Sequence, residues 1–267
     1  MTPNATTQDE VLLLVETSEA IATITLNRPG QFNALSSALI DDLQSALDRV
    51  AADPGVRVVV LAAAGRGFCS GHDLKEIRAM GGVAEVESLF ARCSRMMMTI
   101  TRLPQPVIAR VHGLATAAGC QLVASCDLAV ASTAATFATP GVSIGAFCST
   151  PGVALGRAVA RKHAMEMLLT GAPISAERAC AIGLVNRVVS PDALDAEVNT
   201  LATLIASKSS AAIASGKQVF YRQLEMPLGD AYDVAGHSIA CDFFTEDGKE
   251  GVEAFLGKRA ARWTGRP

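Results

Sequence analysis

Two glycine-rich segments carry the residues of this chain that are best placed to do chemistry. They read GRGFCSGHDLKE (residues 65–76) and VHGLATAAGCQL (residues 111–122), and each follows an apolar run and opens a helical pattern. Backbone N–H groups at the start of a helix are unpaired and lie at the positive end of the helix dipole. Two such turns that converge can hold a developing oxyanion. The alternative, open at this stage, is that both turns are only tight packing corners.

Other common catalytic signatures are missing from the sequence. The segment GRGFCS lacks the third glycine of a dinucleotide-binding loop, and no Gly-Lys pair has the spacing of a phosphate-binding loop. Ser70 does not form a nucleophile elbow, because Phe68 stands where that motif needs glycine. The seven cysteines include no C-x-x-C pair, so the sequence predicts neither a disulfide framework nor a metal site.

The composition narrows the class of protein further. Half of the 267 residues are hydrophobic, 18% are charged, and the mean hydropathy is +0.31, which excludes a disordered chain. A net charge of −3 and an aromatic content of 4% do not suit a nucleic-acid partner. The segment MTPNATTQDE has no apolar run, and longer apolar stretches are interrupted by polar residues. We therefore expect a cytoplasmic protein without a membrane span.

Hydrophobic patterning predicts an α/β fold. Residues 11–26 are rich in β-formers with a polar break in the middle, which indicates two antiparallel strands. Ser36 can cap a helix that runs to about residue 52. Later strands are predicted at 56–62, 107–111 and 128–131. Strands alternate with helices in the first 190 residues, and the pattern then becomes mostly helical.

The chain also resembles the crotonase (enoyl-CoA hydratase/isomerase) superfamily over nearly its whole length. The segments that carry the resemblance are NRPGQFNAL, VRVVVLAAAGRGFCSGHDLKE, PVIARVHGLATAAGCQLVASCDLAVAS, FATPGVSIG, LLTGAPISAERACAIGLVNRVV and EGVEAFLGKR. The resemblance implies a spiral of β-β-α units over residues 1–205 and a helical C-terminal trimerisation region over residues 206–267. It also implies a homotrimer, or a dimer of trimers, that takes CoA as part of a thioester substrate and holds no permanent cofactor.

The same resemblance assigns roles to individual residues. The family's two oxyanion-hole amides fall on His72 and Ala118 of this sequence. Lys75 matches a family lysine near the CoA nucleotide. Phe255 and Lys258 match a C-terminal pair that reaches the adenine and phosphate region of a neighbouring subunit.

Two positions depart from the family's hydratase pattern. The glutamates that position water and shuttle its proton fall on Gln121 and Gly141. Neither an amide nor a glycine exchanges a proton near neutral pH, and one acid or base group contributes about 10²–10⁴-fold to a rate. Efficient hydration is therefore doubtful, and the pair resembles the divergent enoyl-CoA hydratase domain-containing subgroup. Restoring both glutamates should raise hydration if the surrounding scaffold is intact.

Three functions remain open from the sequence. The first is an enzyme that stabilises a thioester enolate, with the His72 ring or the substrate's own groups handling protons. In that hypothesis the ring titrates near neutrality; the alternative is that only the His72 backbone matters. The second function is a module that binds acyl-CoA without converting it. The third is an ordinary hydratase, which the substitutions at Gln121 and Gly141 disfavour.

Overall fold

Ten strands in two sheets and the helices around them make up the part of the chain that the computed structural model describes, residues 11–265. The segment MTPNATTQDE lies outside the described residues. The strands are β1 (Leu13–Ser18), β2 (Ile21–Leu26), β3 (Val58–Ala63), β4 (Gly67–Cys69), β5 (Val107–Val111), β6 (Leu114–Thr116), β7 (Leu128–Ser132), β8 (Thr136–Ala138), β9 (Ile174–Ser175) and β10 (Arg187–Val189). The larger sheet has the order β1-β2-β3-β5-β7-β10, and the smaller one has the order β4-β6-β8-β9.

The helices lie between and after these strands. They are α1 (Ser37–Ala52), α2 (Leu74–Ala79), α3 (Val83–Arg102), α4 (Ala118–Ser125), α5 (Ser149–Ala158), α6 (Arg161–Thr170), α7 (Ala176–Ala181), α8 (Leu194–Ala206), α9 (Ser210–Gln223), α10 (Leu228–Asp242) and α11 (Glu246–Leu256). Short 3₁₀ helices span Pro29–Gln31, Pro140–Ile144 and Pro191–Ala193. Within residues 11–265, no helix is long and apolar enough to cross a bilayer.

The topology is a repeated β-β-α unit. In three successive units, one strand joins the larger sheet, the next joins the smaller sheet, and a helix follows: β3-β4-α2, β5-β6-α4 and β7-β8-α5. Pairing is parallel between β3, β5 and β7, and also between β4, β6 and β8. Parallel neighbours bring the ends of equivalent strands to one edge, so the turns after β4 and β6 lie side by side. The predicted α/β fold of β-β-α units is confirmed.

Helix α1 illustrates how local sequence sets these elements. The side chain of Ser36 accepts a hydrogen bond from Leu39 N–H, as expected of an N-cap. The apolar positions of α1 are buried: Leu39, Ile40, Leu43, Leu47 and Val50. Their three- and four-residue spacing places them on one face against the sheet. The predicted capped helix is therefore confirmed.

The loop before α1 is held on the core by Asn33. This residue is fully buried and has a positive φ of 55°. Its Nδ2 donates to the carbonyls of Ala64 and Gly67, and its Oδ1 accepts from Arg28 N–H. Asparagine tolerates this backbone conformation better than most residues do. Asn33 therefore anchors the loop against the segment that leads into β4.

A buried ion pair joins the C-terminal helices to the sheets. Lys217 Nζ in α9 lies 2.6 Å from Asp127 Oδ2, and it also donates to the carbonyls of Ile100 and Gln105. Tyr221 donates to the other Asp127 oxygen at 2.9 Å. The Lys217 and Asp127 side chains are only 7% and 15% exposed. A charged pair can be buried this deeply because every ionic group has partners.

Candidate active site

The two glycine-rich turns are in direct contact. Cys69 at the end of β4 pairs with Ala115 in β6, and Thr116 Oγ1 donates to the carbonyl of Ser70 at 3.1 Å. A methyl group on Gly71 would lie 2.8 Å from Ala117 Cβ and 3.2 Å from Ala118 N. Gly71 also has a φ of +93°, which only glycine adopts at low cost. The absence of a side chain at Gly71 therefore lets the turns approach each other.

The backbone N–H groups of His72 and Ala118 have no acceptor among residues 11–265. On either side of His72, the carbonyl of Gly71 and the N–H of Asp73 both bond to Leu35, which leaves the His72 N–H free. Ala118 is the first residue of α4, so its N–H has no carbonyl one turn earlier. The two predicted donors thus stand in adjoining turns, both free to bind a ligand oxygen.

The imidazole ring of His72 packs inside the protein. It lies 4.5 Å from the ring of Phe90 in α3, centroid to centroid, and its Nε2 is buried without a hydrogen-bond partner. Desolvation lowers the pKa of His72 from 6.5 to about 4, against a smaller opposing effect of Glu76. The ring therefore stays neutral at physiological pH, which disfavours the hypothesis that it is the proton-shuttling group.

This buried histidine should make folding stability pH-dependent. The folded chain keeps the ring neutral down to about pH 4, whereas the unfolded chain protonates it near pH 6.5. Unfolding then takes up a proton between these values, so stability falls as the pH drops from 6.5 towards 4. We expect His72→Gln to reduce this loss of unfolding free energy by up to about 3 kcal/mol, because each unit of pKa difference corresponds to about 1.4 kcal/mol. Urea denaturation at several pH values measures it, with His237→Gln as an exposed-histidine control; equal slopes for wild type and His72→Gln would contradict it.

Gln121 occupies the first of the two altered positions, one turn into α4. Its side chain is 5% exposed, and its Oε1 is buried without a hydrogen-bond partner. Thr139 has the same property: it is fully buried, and its Oγ1 has no partner. The segments that carry them are joined through the backbone, because Ala117 N–H, one turn before Gln121, bonds to the carbonyl of Ala138, the residue before Thr139. Sequence reasoning missed Thr139, since only the tertiary fold isolates its hydroxyl.

Gly141 occupies the second altered position. The loop that follows it packs directly against its backbone. Its N–H donates to Cys148 Sγ at 3.3 Å, and its carbonyl accepts from Ala146 N–H. A methyl group on Gly141 would lie 2.6 Å from the Ala146 carbonyl oxygen and 2.8 Å from Cys148 Sγ. Side-chain atoms do not approach backbone this closely. The space beside Gly141 is therefore closed to a side chain in this structure.

The nearby acids are committed to structural contacts. Asp73 caps α2 by accepting from Lys75 and Glu76 N–H groups, and it pairs with Arg28 at 3.2 Å. Glu76 accepts from the N–H of Ser37 at the start of α1. Asp127, described above, holds Lys217. No Asp or Glu side chain in residues 11–265 hydrogen-bonds to the side chains of His72, Gln121 or Thr139.

The thiols around the turns do not supply a nucleophile. Burial raises the pKa of Cys69 and of Cys120 to about 12. Burial also raises the pKa of Cys148, whose sulfur accepts from Gly141 N–H. A thiol is a nucleophile only as the thiolate, so these cysteines remain protonated and act as small packing groups.

The three residues predicted to contact CoA lie away from these turns or at the surface. Lys75 is exposed in the first turn of α2, three residues after His72. Phe255 in α11 is 82% exposed, and Lys258, just beyond that helix, is exposed with a φ of +50°. No hydrogen bond or ion pair joins Phe255 or Lys258 to the two turns within the described chain. The structure of one chain thus brings together His72, Ala118 and Gln121, and leaves Phe255 and Lys258 outside that cluster.

Comparison with known proteins places these features in context. The sequence profile described as Enoyl-CoA hydratase/isomerase matches residues 16–266. The mitochondrial enoyl-CoA hydratase domain-containing protein 3 of Xenopus laevis is 48% identical over 257 residues, covering 96% of this chain and 87% of that protein. The predicted resemblance to the superfamily and to its divergent subgroup is confirmed.

Solved structures agree with the fold. A structure described as an enoyl-CoA hydratase of Mycobacterium smegmatis superposes with a TM-score of 0.93 at 55% identity, covering 94% of this chain and 98% of that chain. Human enoyl-CoA hydratase domain-containing protein 3 gives a TM-score of 0.92 at 47% identity, covering 94% and 100%. Because the Xenopus relative is named a mitochondrial protein, the prediction of a cytoplasmic location is not supported.

Proposed function

The chain belongs to the enoyl-CoA hydratase/isomerase family, and on that premise we propose that it binds an acyl-CoA thioester and stabilises its enolate. The thioester carbonyl oxygen would accept hydrogen bonds from the N–H groups of His72 and Ala118. Two observations carry this proposal: the two turns are in contact, and both donors lack an acceptor within residues 11–265. Preorganised donors of this kind stabilise negative charge as it develops on oxygen.

The CoA end of the ligand is proposed to involve more than one subunit. Phe255 and Lys258 are exposed and lie outside the cluster of His72, Ala118 and Gln121, which is compatible with their serving the site of a neighbouring copy. The C-terminal helices expose large apolar side chains: Phe220, Leu224, Leu228, Tyr232, Phe243, Phe244 and Leu256. An apolar surface of this extent is typical of an interface, which supports a homotrimer or a dimer of trimers.

A second candidate function is binding without conversion. It is favoured by the chemistry beside the two donors, where Gln121 is an amide, Gly141 has no side chain, and the His72 ring stays neutral. Without a group that exchanges protons near pH 7, hydration loses about 10²–10⁴-fold for each missing acid or base. An ordinary hydratase is therefore the least supported of the three functions.

A pair of ligands tests whether the carbonyl oxygen is held. Butyryl-CoA carries a thioester carbonyl, whereas S-butyl-CoA, the thioether of the same chain length, lacks it. Two hydrogen bonds of about 1 kcal/mol each should make the thioester bind at least about tenfold more tightly. Calorimetry with both compounds and with free CoA measures the difference. Equal affinity for thioester and thioether would contradict the proposed oxyanion hole, and no binding of any of them would remove CoA as the ligand.

Turnover separates the two candidate functions. Crotonyl-CoA, malonyl-CoA and saturated acyl-CoA thioesters can be incubated with the protein in deuterated buffer and followed by mass spectrometry. Product formation from malonyl-CoA, or uptake of deuterium at the α-carbon of a saturated acyl-CoA, supports an enolate-forming enzyme. Tight binding with neither change supports a binding module. Crotonyl-CoA hydration at a rate comparable to that of glutamate-bearing relatives would contradict both.

A further inference from the structure

Helix α11 ends in a Schellman motif with an unusual residue in it. The N–H of Lys258 donates to the carbonyl of Phe255 at 3.2 Å, and the N–H of Arg259 donates to that of Ala254 at 3.0 Å. In this motif the residue after the C-cap takes a left-handed conformation and is usually glycine. Here Lys258 takes it, with a φ of +50°, whereas Gly257 before it has a φ of −79°. A strained conformation of this kind persists only where neighbouring contacts hold it.

The contacts that hold the turn come from Glu250 in α11. The guanidinium of Arg259 donates to both carboxylate oxygens of Glu250, at 2.6 and 2.8 Å. A bidentate pair fixes the orientation of its partners as well as contributing energy. Glu250 also accepts from the N–H of Arg262 at 2.7 Å. One carboxylate therefore binds the chain at two points directly after Lys258.

This arrangement leaves the ammonium group of Lys258 available to a ligand. The side chain is exposed, and within residues 11–265 it has no hydrogen-bond or ion-pair partner. Arg259, in contrast, is already paired. Its hydrogen bonds lower the pKa of Glu250 to about 2, so the pair stays charged at neutral pH. Phe255, three residues before Lys258, is 82% exposed. The Glu250–Arg259 pair thus holds a turn that presents a free cation close in sequence to an exposed ring.

We propose that Glu250 is a positioning residue for the nucleotide end of a CoA thioester. By holding Arg259, it fixes the turn from which Lys258 reaches the phosphates of the ligand. The inference rests on the proposed binding of an acyl-CoA, with Phe255 and Lys258 serving a neighbouring copy. It assigns no catalytic step to Glu250 or to Arg259.

Positioning and a simple charge effect predict changes of opposite sign. A carboxylate near bound phosphates repels them, so removing its charge would by itself strengthen CoA binding. It would also release Arg259 as a second cation. Loss of positioning weakens binding, because the Lys258 turn must then be ordered when the ligand binds. The direction of the change in Glu250→Gln therefore separates the two explanations.

Two ligands with the same acyl group test the inference. Butyryl-CoA carries the phosphates and the adenine, whereas butyryl-pantetheine lacks both. Calorimetry gives the affinity for butyryl-CoA, and competition against it gives that for butyryl-pantetheine. We expect Glu250→Gln to bind butyryl-CoA about fivefold or more weakly, the cost of ordering one side chain, and to change butyryl-pantetheine less than about twofold. A general structural defect would weaken both ligands.

Two further variants control for charge and for folding. Glu253 is an exposed acid on the same helix, and no hydrogen bond or ion pair joins its carboxylate to Arg259 in the described chain. Glu253→Gln removes the same charge and should change butyryl-CoA affinity less than about twofold, as expected of a screened surface charge. Arg259→Lys keeps the positive charge but cannot make the two-point contact, so it should weaken butyryl-CoA in the same direction as Glu250→Gln.

Circular dichroism and sedimentation check that each variant keeps its fold and its oligomeric state. Butyryl-CoA affinity that is unchanged or higher in a folded Glu250→Gln or Arg259→Lys protein would overturn the inference, and so would equal losses for the two ligands. Either result leaves wild-type binding of butyryl-CoA in place. Failure of the proposed function is distinct, because wild type itself would then not bind butyryl-CoA.

Discussion

Gly141→Glu is expected to destabilise the protein by about 3 kcal/mol or more and to leave crotonyl-CoA hydration no faster than in wild type. The first atom of any new side chain would lie 2.6 Å from the Ala146 carbonyl oxygen and 3.1 Å from Cys148 N. Both are backbone atoms, so the loop itself must move. Gly141 is itself buried, so a charged side chain there would also lose hydration.

Smaller variants separate the steric cost from the electrostatic one. Gly141→Ala adds only the methyl group and should already cost about 1–3 kcal/mol, because overpacking forces backbone shifts. Cys148→Ala in the Gly141→Ala background removes the sulfur contact at 2.8 Å but leaves the Ala146 oxygen, so it should recover only part of the loss. Gly156→Ala is the matched control, since nothing lies within 4 Å of a methyl group there.

These measurements also decide how the double replacement is interpreted. The sequence alone predicts that Gln121→Glu with Gly141→Glu raises hydration if the scaffold is intact. The contacts of Gly141 indicate that the scaffold has closed around the missing side chain. Urea denaturation and a crotonyl-CoA assay on the same samples are therefore needed. Suppose that Gly141→Glu has wild-type stability and hydrates crotonyl-CoA at least about a hundredfold faster than wild type. That result would contradict the conclusion that the loop leaves no space for a side chain at Gly141.

Sequence patterning predicted the larger sheet better than the smaller one. The central strands of the larger sheet, β3 and β5, are apolar runs of six and five residues, and their burial on both faces leaves a clear signal. Strands β4 and β6 were predicted as turns, because each has three residues and adjoins glycine or small side chains. Their pairing is set by neighbouring units that lie far away in the sequence. A local pattern of three residues carries no such information.

In the candidate site, too, some features could be predicted from the local sequence and others could not. Helix starts and family positions pointed to His72, Ala118, Gln121 and Gly141, and these are local properties of the sequence. The ionisation of the His72 ring could not be predicted, because its pKa depends on burial against Phe90, 18 residues further along. The closure over Gly141 likewise depends on where Cys148 folds back. Residue type already excludes Gln121 and Gly141 from proton exchange, whereas tertiary contacts decide the ionisation of His72 and the space beside Gly141.

Lys217→Met is expected to lower the free energy of unfolding by about 3–5 kcal/mol, because it leaves the carboxylate of Asp127 buried without its countercharge. In the folded chain, Lys217 Nζ has three acceptors within 3.0 Å, two of them backbone carbonyls. Methionine fills much of the same volume but donates nothing. Asp127 then keeps only the N–H of Val107 and the hydroxyl of Tyr221.

A second substitution tests the reason for this loss. Asp127→Asn in the Lys217→Met background removes the unpaired charge and should recover part of the stability. Arg157→Met breaks the exposed pair with Glu225, in which both side chains are more than 60% exposed, and should cost less than about 1 kcal/mol. If Lys217→Met costs no more than Arg157→Met, the buried pair does not stabilise the fold.

The same ion pair bears on whether residues 206–267 fold independently of the rest. Lys217 and Tyr221 belong to that segment, whereas Asp127, Ile100 and Gln105 belong to the α/β core, so the pair couples the two. Trp263 is the only tryptophan and bonds to the carbonyl of Ser207, so its fluorescence reports on the C-terminal segment. Circular dichroism reports on all helices and strands. We expect both signals to shift together to lower urea in Lys217→Met; a fluorescence transition that moves alone would show that the C-terminal segment unfolds as a separate unit.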